Sequence, residues 1–88
     1  MMQPLFQSKT STMQLQALIA DLRWKVQLLV SDIQDEEQRA RVSDPAALGY
    51  PMLALTLRAR RDNLLVTIAA LEERLKALDP ATDWTRAA

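Results

Sequence analysis

From Thr12 to Val42 the chain contains neither glycine nor proline, and its apolar residues keep a strict rhythm. Leu15, Ile19, Leu22, Val26, Leu29 and Ile33 are separated by alternating steps of four and three. That spacing holds all six on one stripe of an α-helix and is the heptad pattern of helices that pair along their length. A second run repeats it. Leu57, Leu64, Leu71 and Leu78 recur every seven residues, with Ala54, Arg61, Ile68 and Leu75 as the companion positions. Two long amphipathic helices are therefore expected.

The breaks between them are legible too. Met1 to Thr10 shows no periodicity and reads as a tail. Ser11 is placed to cap a helix, with Gln14 at capping-box spacing. Asp44-Pro45 and Gly49-Tyr50-Pro51 interrupt the pattern, because proline lacks the amide proton a helix interior requires and glycine tolerates a left-handed turn. Asp79-Pro80 ends the second run. The spacing predicts a helix over 11–43, a turn over 44–50, a helix over 51–78, and a tail over 80–88 that carries Trp84. The fold class is all-α: an antiparallel, coiled-coil-like two-helix hairpin over 11–79, since so short a connection makes the helices neighbours.

The two stripes can be laid against each other. Leu15 then meets Leu78, Ile19 meets Leu75, Leu22 meets Leu71, Val26 meets Ile68, Leu29 meets Leu64, and Ala40 meets Ala54 near the turn. The layers of Ile33 with Arg61 and Glu36 with Leu57 do not match, and a Glu36–Arg61 ion pair is expected to fix the register there. Asp21–Lys25, Asp35–Arg39, Glu37–Arg41 and Glu72–Lys76 are spaced to support the exposed helix faces.

One seam does not use all the apolar surface. Ala17, Ala20, Trp24 and Leu28 form a second stripe on the first helix, and Leu55 and Val66 lie off the seam of the second. A hairpin alone cannot bury these. The expected solution is a homodimer, a four-helix bundle with twofold symmetry. The alternative is another protein held through the Trp24/Leu28 stripe, with Tyr50 at the turn as a further contact.

Composition narrows the chemistry. The chain has no His and no Cys, and eleven basic residues balance eleven acidic ones. Imidazole and thiolate metal sites and His-dependent nucleophilic catalysis are excluded within it. Asp32, Asp35, Glu36 and Glu37 form an acidic group, and Arg58, Arg60 and Arg61 a basic one. Mutual pairing accounts for both more simply than a cation or a nucleic acid does. No phosphate-binding glycine loop, signal sequence or membrane-length apolar run is present. Absence of cysteine fits a reducing, cytoplasmic setting. No enzyme activity, cofactor, metal or membrane association is expected.

The turn residues Ser43-Asp44-Pro45 and Leu48, with the helix lengths, resemble type III secretion needle subunits and their small hairpin chaperones. The resemblance implies a charged helical hairpin and carries over no site residue. The 79–88 segment departs from the polymerising C-terminal helix of needle subunits. The functional expectation is a non-enzymatic protein–protein interaction or structural module. The alternatives are an adaptor or chaperone hairpin that covers a partner's helix and, more remotely, a nucleic-acid binder using the three arginines.

Overall fold

The computed structural model describes residues 4–78, with side chains from residue 11 onward. All its regular structure among these residues is in two helices, α1 (Pro4–Ala40) and α2 (Met52–Leu78), packed against each other as an antiparallel hairpin. Among the described residues no helix is long and apolar enough to cross a membrane.

α1 begins seven residues earlier than the Ser11 cap implied. The expected tail is helical from Pro4, and Ser11 lies inside the helix. Proline suits a first turn, where its missing N–H has no helical partner to lose, and no breaker stands between it and Thr12. Residues 1–3 and 79–88, Trp84 among them, lie outside the described residues.

α1 also stops three residues before the expected 43. Arg41 takes a left-handed backbone, φ 57°. Its N–H donates to the Gln38 carbonyl at 3.2 Å, and the Val42 N–H donates to the Glu37 carbonyl at 3.2 Å. These two bonds form a Schellman ending, here without the usual glycine. The turn then builds itself. The Asp44 carboxylate accepts from the Ala46 N–H at 3.0 Å. The Asp44 carbonyl accepts from the Ala47 N–H at 2.9 Å. Gly49 supplies the positive φ of 86° that reverses the chain. The Pro51 carbonyl receives the first bond of α2, from the Leu55 N–H at 3.3 Å.

The matched layers meet largely as the spacing requires. Ile19, Val26 and Ile68 form the buried cluster, with Leu22, Val30, Leu64, Leu71 and Leu75 against it. Nearer the turn Ile33 is 3% exposed, and Ala54 at 0% lets the backbones approach.

The seam is not closed evenly. One lane, Ile19, Val26 and Ile33 with Ala54 and Ile68, is buried. In the other lane Leu57 alone is buried. Leu15, Leu22, Leu29, Leu64 and Leu71 are half-buried, and Leu78 is exposed. The hairpin therefore has a closed side and an open side. It is also thin: its extents are 60 × 31 × 15 Å. A single helix with side chains is about 10–12 Å across, so the molecule is one layer deep.

Candidate interaction surfaces

Among the described residues two ion pairs cross between the helices, and both lie on the closed side. Arg23 pairs with Glu72, and Arg58 pairs with Glu37 at 3.3 Å. The two are fourteen residues apart on each helix, so one register satisfies both. The Tyr50 hydroxyl donates to the same Glu37 carboxylate at 2.7 Å. Glu37 thus joins the loop, α1 and α2 at the hairpin end. Partial burial pushes the Tyr50 phenol above its ordinary pKa, and the neighbouring carboxylate adds to the shift while Arg58 opposes it. Tyr50 works here as a clasp on the turn.

The expected Glu36–Arg61 register pair is not formed. Glu36 pairs with Arg39 at 3.0 Å, one turn along its own helix, and Arg61 pairs with Asp62 at 2.9 Å. The register is held instead by residues that flank the seam. Only a flanking position points toward the other helix with its charged end still in water, and a seam position would have to bury it. Of the four intrahelical pairs, Asp21–Lys25 forms at 3.3 Å. Arg39 prefers Glu36, and Lys76 prefers Glu73 at 3.3 Å. Glu72 and Glu37 are drawn across to α1 and α2 partners respectively. The basic group divides in the same way: Arg58 and Arg61 are paired, and Arg60 lines a groove.

The anticipated Ala17–Ala20–Trp24–Leu28 stripe is exposed but does not act as one surface. Trp24, 62% exposed, and Ala20 line a groove of about 590 Å³ on the closed side. Val26 and Ile68 lie at its floor, with Leu65 and Ala69 from α2, and the Arg23–Glu72 pair crosses it. Leu28 lines a different groove, of about 230 Å³, with Lys25, Leu29, Arg60 and Leu64 on the open side. Consecutive steps around a helix carry side chains apart by about 100°, so a stripe read along four residues can straddle two faces. Ala17, Leu55 and Val66 are exposed and line neither groove.

A third hollow, of about 560 Å³, lies toward the open end of the hairpin. It is lined by Ser11, Gln14, Leu15 and Leu18 from α1 and by Arg74, Ala77 and Leu78 from α2. These positions repeat the Leu28 groove fourteen residues away on both helices. Among the described residues no group of three or more acidic side chains is arranged to hold a metal ion.

Glu37–Arg58 meets the expected pairing of the acidic group with the basic one, although the sequence reading did not name the two residues, and it did not anticipate Arg23–Glu72. The signal was present: both follow from the leucine register once flanking positions are paired as well as seam positions. The Tyr50 clasp had no such signal, because it depends on the path of the turn.

Comparison with protein-family models, with curated proteins and with solved structures found no match.

Proposed function

We propose that this chain is a non-enzymatic interaction module that associates with a second copy of itself as a four-helix bundle. The observation that carries the reading is the single-layer hairpin, 15 Å thick, with large apolar side chains exposed on both of its sides. Stable domains bury such faces against a second layer. Here the second layer has to come from another chain, and a symmetric pair of hairpins supplies it. The groove linings support the same reading, being alkyl and indole surface with charged rims, which suits a helix. The proposed setting is cytoplasmic.

A second reading is an adaptor or chaperone hairpin that covers a helix of another protein. The Trp24 groove favours it, since an exposed indole beside an apolar hollow is a common anchor in protein interfaces. Absolute molar mass by light scattering, over a wide dilution range, separates the two. A mass twice the 10.0 kDa of the chain supports self-association. A mass of 10.0 kDa at all concentrations refutes it and leaves the adaptor reading.

A further inference from the structure

We propose that the open leucine side of the hairpin is where the second copy docks, and that the Trp24 groove stays outside that interface. This rests on the self-association reading above and assigns the surface that carries it.

The uneven seam is the first argument. Leucines at heptad positions normally close a helix pair, yet Leu15, Leu22 and Leu29 of α1 and Leu64 and Leu71 of α2 are only half-buried. They form a continuous lane, widened by Leu18 at 44% and Leu28 at 47% exposure. On the closed side Ile19, Val26, Ile33, Ala54 and Ile68 of the corresponding lane are buried, and Leu75 and Arg61 are half-buried.

The second argument is repetition. The two hollows of the open side use equivalent positions fourteen residues apart, or about 21 Å along a helix. Another heptad-patterned hairpin has the same repeat and fills both hollows in one docking event. An unrelated surface would have to match that spacing by chance.

Charge supplies the third. On the closed side the charges that flank the seam are paired across the helices. On the open side Arg60 and Arg74 have no ion-pair partner among the described residues, and neither does Asp32, one heptad from Lys25 on the same stripe. Both signs are present, so the surface complements itself, and the chain's zero net charge sets up no repulsion between copies.

The chain has no cysteine, so one introduced thiol reports one position. Leu28→Cys places it on the open side and Gln27→Cys places it in the Trp24 groove. Alkylation rates of both are measured across a dilution series, beside the molar mass. The expected result is that doubling of mass slows alkylation of Leu28→Cys at least tenfold and leaves Gln27→Cys unchanged. In parallel, Leu18→Glu combined with Leu28→Glu raises the dimer dissociation constant at least a hundredfold, and Trp24→Glu leaves it within threefold. Protection of Gln27→Cys instead, or monomerisation by Trp24→Glu alone, overturns the assignment. Doubled mass with neither thiol protected also overturns it but leaves self-association standing. A monomer at every concentration removes both.

Discussion

Arg41 sits where helices usually place glycine. A side chain in the left-handed region costs roughly 1–2 kcal/mol, and its φ of 57° is held by the two bonds that end α1. Arg41→Gly is expected to stabilise the hairpin by about 1 kcal/mol, less whatever glycine adds to the entropy of the unfolded chain. Urea denaturation monitored by helical circular dichroism reads this directly, and destabilisation would show that the Arg41 side chain does something its backbone does not reveal. Tyr50 offers a second test. It is the chain's only tyrosine, so phenolate absorbance reports it alone. Its pKa is raised by partial burial and by the Glu37 carboxylate. The folded state therefore holds this proton more tightly than the unfolded state does. The associated stability is present below the unfolded value, near 10, and is lost as pH rises through the folded value. The titration midpoint should lie above that of a free tyrosine and fall in Glu37→Gln. A normal midpoint in the unaltered chain would mean that the clasp does not form in solution.

At the level of the helices, the leucine and isoleucine spacing, with the short connection, was enough to establish two helices packed against each other and to put Ile19, Val26 and Ile68 in their buried seam. Val26 faces Ile68 because both lie on seams that count out to the same layer. The spacing did not establish how far each helix is rotated about its own axis. That rotation buries Ile19, Val26 and Ile33 while leaving Leu15, Leu22 and Leu29 half-open. It also decides that Glu37 and Arg23, rather than Glu36, reach α2. The same limitation splits Trp24 from Leu28. A heptad names the stripe, but side-chain volumes across the seam determine where its centre lies. Helix ends were misread for a local reason. Capping residues such as Ser11 compete with a continuing helix, and nothing before it blocked continuation to Pro4.

Three substitutions test this account of the elements. Arg61 occupies a position on the closed lane, but its guanidinium pairs only with the adjacent Asp62. Arg61→Leu is expected to be neutral or stabilising in chemical denaturation, because an apolar side chain there extends the buried lane without stranding a charge. A loss above about 2 kcal/mol would point to a role for Arg61 beyond its ion pair. Ile68→Ala removes part of the buried cluster and should cost about 2–4 kcal/mol. Val66→Ala on the exposed outer face of α2 should stay within about 0.5 kcal/mol. Equal effects at the two positions would contradict the burial pattern on which the closed side is defined.

For the whole molecule, thinness is the property that matters. Two helices give one layer, and a radius of gyration of 18.2 Å describes a rod-like plate rather than a ball; a compact chain of this length would have about 12 Å. Stacking a second hairpin on the open side deepens the plate without lengthening it. Small-angle X-ray scattering over a dilution series reads both quantities at once. The result expected is a forward-scattering mass twice 10.0 kDa with the radius of gyration still close to 18.2 Å and the longest dimension near 60 Å. A mass of 10.0 kDa throughout, or a doubled mass with the longest dimension well beyond 60 Å, would contradict the account, since the open side would then be uncovered or the copies joined end to end.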